Sequence, residues 1–302
     1  MRVGADSVSP MTAGRAVSDV DGTWRPKLVV LDLDGTVVAN RSGPPRAGET
    51  RPGPSRAVRE ALAAVAAAGV PVVVATGRSL WAAEDTVTAL GLPEVGLVCS
   101  NGAVGYDLVR RRELFLERFA PDAAMTALAS ALPGAGFAVE RGTRGFVTTP
   151  EFARDFTSRF LDVASIADAA AEPTTRVVCR AGHHAPEAVL DAAERVLPGT
   201  GARWYSQRPG WLDLGPADCS KATGVARLAV AAGVDASDVA AFGDDHNDID
   251  LLNWAGGGVA MGQAPEAVRR AATLVTGPVS ADGVATALAR WFPPVKNQSA
   301  KE

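Results

Sequence analysis

From Lys27 onward the chain alternates short apolar runs with amphipathic stretches. LVVLDLDG, residues 28–35, is a nearly continuous apolar run ending in a turn, the pattern of a strand buried on both faces. SRAVREALAAVAAAG follows, with Ser55 placed as an N-cap, an amphipathic body and Gly69 as a stop. VPVVVATGR is a second buried strand, LWAAEDTVTALG a second helix, and VGLVCSNGA a third strand ending at Asn-Gly. Strand, helix, strand, helix, strand is the rhythm of a parallel sheet with crossover helices.

The middle of the chain has a different texture. Short alternating runs (AVGYDLV, RELFLER, FAVERG, GFVTT) surround one helical stretch, PDAAMTALASAL. TTRVVCRAG then reads as a strand, APEAVLDAAERVL as a helix and GARWYSQRPGWLDLGP as paired strands. The α/β rhythm resumes with the helix KATGVARLAVAAG, the strand and loop DVAAFGDDHNDIDLL, the strand GGGVAMG, and the helices EAVRRAAT and DGVATALARWF. The expected fold is therefore α/β: a Rossmann-like parallel-sheet core, residues 27–103 and 216–293, carrying an inserted α+β cap domain, residues 104–215. Residues 1–26 are rich in Gly, Ser, Pro and Ala without a sustained period and read as a disordered leader, and 294–302 as a loose tail.

Bulk composition narrows the function. A chain of 302 residues with 47% hydrophobic residues can bury one good core and has the length for a second. The net charge of −4 argues against a nucleic-acid binder. No apolar run is long enough to span a bilayer, and the N-terminus lacks an apolar signal core. Cys99, Cys179 and Cys219 are far apart, with no metal-ligand spacing, and read as reduced thiols of a cytoplasmic protein.

Asp-x-Asp-Gly-Thr occurs twice, at Asp19–Thr23 and Asp32–Thr36. A strand alternates its side chains, so Asp32 and Asp34 face one side at the carboxyl end of LVVL, where open α/β sheets bind ligands. Gly35 lets the chain turn away. Asp19 and Asp21 lack such a strand, and this copy is read as accidental. Three more stretches fall at comparable places. VVVATGR puts Thr76 at a strand end with Gly77 behind it, DCSKATG puts Lys221 in the first turn of a helix, and VAAFGDDHND puts Asp244 just past a buried strand. A helix starting near Asp244 would bring Asp248 back to the same face at i, i+4.

Carboxylates with few histidines suit Mg²⁺, a hard cation that takes oxygen ligands. A hydroxyl and an ammonium beside them suit a phosphoryl group, and a carboxylate can serve as a nucleophile through an aspartyl-phosphate. The four stretches LDLDGTVV, VVATGR, DCSKA and FGDDHNDIDLL together resemble the haloacid dehalogenase superfamily of phosphohydrolases, and SNGA and GVAMG resemble its Cof-type branch with a large α/β cap. The resemblance runs over residues 27–292.

It implies Asp32 as nucleophile and Asp34 as the acid, then base, of the two half-reactions. It also implies Mg²⁺ held by the Asp32 and Asp244 side chains and the Asp34 backbone carbonyl, with Asp248 an outer, water-mediated partner. Thr76 and Lys221 would hold the phosphoryl oxygens, while Gly35 and Gly77 would let backbone amides approach the phosphate. Arg78 matches a family position or pairs with a nearby carboxylate, and Asn101 shapes a turn. The expected activity is Mg²⁺-dependent hydrolysis of a small phosphorylated metabolite, a sugar phosphate or similar, by a cytoplasmic monomer or homodimer. A phosphomutase or phosphotransferase is the alternative, and a non-catalytic phosphate-binding protein ranks below it.

Overall fold

The computed structural model of the protein describes residues 24–39, 53–154, 158–206 and 209–293. The first Asp-x-Asp copy, Arg208 and the tail beyond 293 lie outside them. The first half of the core runs β1 (Leu28–Leu31), α1 (Arg56–Ala67), β2 (Val72–Ala75), α2 (Leu80–Thr88), β3 (Val95–Cys99), β4 (Val104–Asp107) and β5 (Arg112–Leu116). The cap follows as α3 (Asp122–Ala131), β6 (Gly136–Glu140), β7 (Phe146–Thr148), β8 (Phe160–Val163), α4 (Ile166–Ala170), β9 (Val177–Arg180), α5 (Pro186–Val196), β10 (Ala202–Tyr205) and β11 (Trp211–Pro216). The chain returns through α6 (Lys221–Ala231), β12 (Val239–Gly243), α7 (Ile249–Trp254), β13 (Gly257–Ala260), α8 (Glu266–Ala271), β14 (Leu274–Val275) and α9 (Gly283–Leu288).

The core sheet has the order β14-β13-β12-β1-β2-β3-β4-β5. It is parallel from β14 to β3. β1 is central, and its four residues are all buried, as the unbroken apolar run requires. Val29, Leu31, Val74 and Phe242 pack toward α1 and α9, whereas Leu28, Val30, Val73 and Ala241 pack toward α6 and α7. Each such aliphatic side chain contributes about 1.5–3 kcal/mol on leaving water. Ser55 caps α1 by accepting from Val58 N at 3.1 Å, as its position before the amphipathic run predicts.

Cap boundaries differ from those read in the sequence. β4 and β5 belong to the core sheet, antiparallel on the edge of β3, so the cap does not begin at residue 104. The cause is local. Ser100, Asn101 and Gly102 have φ of 51°, 54° and 106°, and this left-handed turn sends the chain back along β3. Alternating strand patterns do not say which sheet they join. At the other end β11 extends to Pro216, one residue past the expected boundary.

The leader boundary also moves. Trp24, assigned to the leader, packs edge-on against Trp291 with ring centroids 5.3 Å apart and donates from Nε1 to Ser237 O at 3.1 Å. Pro26 is buried as well. β8, α4 and β14 have no counterpart among the elements read from the sequence; β8 is largely exposed and β14 only two residues long.

The cap sheet has the order β10-β11-β9-β6-β7-β8. One face, with Phe137, Val139, Val177, Leu212 and Trp204, packs on α3, α4 and α5. Alternation puts Glu140, Arg176, Arg203, Tyr205 and Asp213 on the other. That face meets the core: Ser100 Oγ donates to Glu140 Oε2 at 2.7 Å, and Arg203 pairs with Asp250 at 2.6 Å. Among the described residues, no helix is long and apolar enough to cross a membrane.

Candidate active site

Parallel register brings the chemistry together. Leu31 lies beside Val74 and Phe242, so the chain leaves β1, β2 and β12 side by side at their carboxyl ends. Asp32, Thr76 and Asp244 follow those strands, and Lys221 opens α6, whose cap is a box between Ser220 and Thr223. All four side chains are buried.

Lys221 ties the site. Its ammonium donates to Asp32 Oδ1 at 2.6 Å and to Asp248 Oδ1 at 2.7 Å. Burial works against its charge, but Asp248 and Asp32 outweigh it and hold its pKa above the ordinary lysine range. Burial pushes the Asp32 carboxyl up to about 7, with Lys221 pulling it down and Asp248 pushing it further up. Asp244 is pushed up to about 8, by burial first and then by Asp32 and Asp248.

Carboxylate oxygens of Asp32, Asp244 and Asp248 lie within 4.8 Å of one another. Such an all-oxygen, charge-crowded set fits a hard divalent cation, which would offset the mutual repulsion of the carboxylates. The three do not fit it equally. Asp248 Oδ1 already accepts from Lys221, and Oδ2 accepts from the backbone amides of Asp244 and Asp245 at 3.0 and 3.1 Å. Asp248 therefore braces the loop, while Asp32 and Asp244 are the better cation ligands. The i, i+4 helix expected from Asp244 is not what places Asp248. Residues His246–Asp248 form a 3₁₀ turn and α7 starts only at Ile249, so the side-chain bonds to the two amides do the placing.

Gly35 also has a different job from the one expected. Its N–H donates to Val38 O at 2.7 Å, inside its own turn, so that amide is engaged away from any phosphate. Glycine is needed because φ is +86° and a Cβ would lie 2.0 Å from Asp244 Oδ2. Gly77 sits half-buried in the bend between Thr76 and Arg78. Thr76 Oγ1 accepts from Arg78 N at 3.1 Å, which leaves its own proton to donate.

Asp34 turns to Arg78, which grips it through Nε–H to Oδ2 at 2.7 Å and Nη2–H to Oδ1 at 2.6 Å. Arg78 is itself fixed by Ala82 O and Thr86 Oγ1, at 3.0 and 2.7 Å. Of the two sequence readings of Arg78, the carboxylate pair is the one observed. Sequence reasoning missed Thr36 and Gln263. Thr36 Oγ1 donates to Asp244 Oδ1 at 3.4 Å, and Gln263 Nε2 donates to Gly35 O at 2.6 Å. Thr36 stood inside the quoted motif, whereas nothing local marks Gln263. Asn101, buried in its left-handed turn, accepts from Asn247 Nδ2 at 2.9 Å and so joins the β3 turn to the loop after β12.

Known proteins resemble this chain over most of its length. A family model described as haloacid dehalogenase-like hydrolase matches residues 29–288. The pyridoxal phosphate phosphatase YbhA of Escherichia coli is 26% identical over 280 residues, 86% of this chain and 96% of its own. A phosphoglycolate phosphatase of Methanopyrus kandleri is 29% identical over 267 residues, 86% of this chain and 95% of its own. Among solved structures, the subclass IIB sugar phosphatase BT4131 superposes with a TM-score of 0.70 at 21% identity, covering 89% of this chain and 99% of its own, a likeness of fold. The chain belongs to the haloacid dehalogenase-like hydrolases. Within them it falls in the Cof-type branch of phosphatases.

Proposed function

We propose that the protein is a Mg²⁺-dependent phosphatase that hydrolyses a small phosphorylated metabolite through a phosphoryl group carried on Asp32. The observation that carries this reading is the buried cluster of Asp32, Asp244 and Asp248 bound by the Lys221 ammonium. Asp32 and Asp244 would hold the cation, with Asp248 behind them and the Asp34 backbone carbonyl as a further oxygen. When bound, Mg²⁺ supplies positive charge to phosphoryl oxygens in a crevice that otherwise repels them.

The chain's own groups do the rest. The Asp32 carboxylate attacks phosphorus, the ester oxygen leaves, and an acyl phosphate forms on Asp32. Asp34 delivers a proton to the departing oxygen, then takes one from the water that attacks the acyl phosphate, releasing inorganic phosphate and restoring Asp32. Arg78 fixes the orientation of the Asp34 carboxylate through its fork. Thr76 Oγ–H and the Lys221 ammonium donate to phosphoryl oxygens. The cap, closing on the core, would limit water at the site.

The three relatives act, by their names, on pyridoxal phosphate, phosphoglycolate and sugar phosphate. A sugar phosphate or similar ester is the substrate we infer for this chain. The unpaired buried thiols support a reducing, cytoplasmic setting. The test is a hydrolysis screen over phosphorylated sugars, polyols and cofactors with and without Mg²⁺. Metal-dependent phosphate release is expected; release unaffected by exhaustive chelation would overturn the metal site.

A further inference from the structure

Ser100 and Asn101, in the turn after β3, both have left-handed backbone, with φ of 51° and 54°. A side chain makes that conformation costly, and two in succession persist only where their surroundings hold them. Two backbone bonds stitch this turn to the bend that ends β2. Ser100 N–H donates to Arg78 O at 2.9 Å, and Asn101 N–H donates to Thr76 O at 3.1 Å. The Ser100 side chain reaches the other domain, where Oγ donates to Glu140 Oε2 of β6 at 2.7 Å. One cap carboxylate is therefore joined, through one serine, to the main chain of the residue that grips Asp34.

Glu140 is itself firmly placed. It is 1% exposed, and Thr175 Oγ1 donates to the same carboxylate oxygen at 2.8 Å. Its N–H donates to Arg176 O at 2.8 Å and its carbonyl accepts from Thr174 Oγ1. Arg176 is held in turn by Asp213 of β11 at 2.6 Å. Burying a carboxylate is expensive, and packing alone does not ask for one; as an acceptor it binds a hydroxyl more strongly than a neutral oxygen would. A second pair of cap contacts falls on α2, whose Ala82 O and Thr86 Oγ1 brace the Arg78 guanidinium. Trp81 of that helix donates from Nε1 to Thr143 O at 2.9 Å, and the Arg159 guanidinium lies over its ring at 5.3 Å from the centroid. The cap thus bears on the main chain of Arg78 through Ser100 and on the helix that braces its side chain through Trp81.

We propose that Glu140 and Ser100 are positioning residues for proton transfer at Asp34, acting through Arg78. This deepens the phosphatase reading and rests on it. Arg78 forks onto both oxygens of Asp34, so the plane in which Asp34 presents its proton follows the place of Arg78. The Glu140–Ser100 bond holds the strained turn, and the turn holds Arg78 O. Without that bond the turn relaxes and the bend at Arg78 shifts with it. Neither Glu140 nor Ser100 touches the ester, so the damage falls on what Asp34 supplies, the proton for the departing oxygen. A strongly basic leaving group needs that proton more than a weakly basic one.

The test compares the full chain with Ser100→Ala and Glu140→Ala on phenyl phosphate and p-nitrophenyl phosphate, with Mg²⁺ present. The esters are close in shape, but phenoxide is the more basic leaving group. Each variant is expected to lose at least about fivefold more kcat/KM on phenyl phosphate than on p-nitrophenyl phosphate. The ratio of the two constants does not depend on how much of a variant folds, so a stability effect cannot imitate the result. A second arm places Ser100→Ala in the Arg78→Leu protein. Because Ser100 acts through Arg78, the ratio there is expected to stay within about twofold of that of Arg78→Leu alone. An unchanged ratio in either single variant, or the full extra loss in the double variant, would overturn the proposal while leaving the phosphatase intact. Release of phosphate from neither ester by wild type would overturn the phosphatase reading, and this proposal with it.

Discussion

Arg78 holds Asp34 by two parallel hydrogen bonds of 2.7 and 2.6 Å across 44 residues of sequence. The fork fixes the plane of the carboxylate, and Ala82 O and Thr86 Oγ1 fix the fork. Lysine cannot reproduce two parallel donors. Arg78→Lys and Arg78→Leu are both expected to lower kcat, by roughly 10–100-fold, because a misplaced acid loses much of the benefit of orientation. Steady-state kinetics would show it, and a lysine variant with full kcat would refute the positioning role.

Lys221 is the cation of a buried ion-pair network with Asp32 and Asp248. Removing it strands two carboxylates that are 4% and 0% exposed. Lys221→Met is expected to cost roughly 3–5 kcal/mol of stability near neutral pH, the usual penalty of breaking a buried pair from one side. Denaturant unfolding measures it. A loss of less than about 1 kcal/mol would mean the network relaxes into water.

The raised carboxyl pKa values of Asp32 and Asp244 make stability depend on pH in a definite direction. Both groups bind protons more readily folded than unfolded, so their contribution is fully present below about 3.8 and is lost as pH rises through about 7 for Asp32 and about 8 for Asp244. The metal-free protein should therefore melt at a lower temperature at pH 8.5 than at pH 6. Mg²⁺ competes with those protons and should raise the melting temperature more at pH 8.5 than at pH 6. Thermal melts with and without chelator test both statements; a larger Mg²⁺ effect at pH 6 would contradict the assignment.

Asp32→Asn keeps the shape of the side chain but replaces the attacking carboxylate with an amide, a far poorer nucleophile. Turnover is expected to fall by at least about 10³-fold, in line with loss of a covalent nucleophile. The same change removes one charge from a crowded cluster, so the metal-free variant should melt no lower than wild type at pH 8.5. Retained turnover, with contamination excluded, would end the covalent mechanism.

What the sequence determined by itself is the set of strand ends. β1, β2, β3 and β12 are apolar runs closed by Asp, Thr, Ser-Asn or Gly-Asp, and the change from apolar to polar is local, so Asp32, Thr76 and Asp244 were legible as candidates at strand ends, and Lys221 as a candidate behind a helix cap. The tertiary structure decided what each of them touches. Lys221 meets Asp32 across 189 residues, and Gln263 meets Gly35 across 228. No periodicity encodes such contacts, because they depend on which parallel strands lie side by side. The same limit applies to the ends of the domains. Trp24 looks like leader until Trp291 arrives to pack against it, and β4–β5 look like cap until three left-handed residues fold them back onto β3. Local pattern fixes which segments are strands and where their polar ends fall. The partner across the sheet, the turn or the cap is a property of the packed molecule alone.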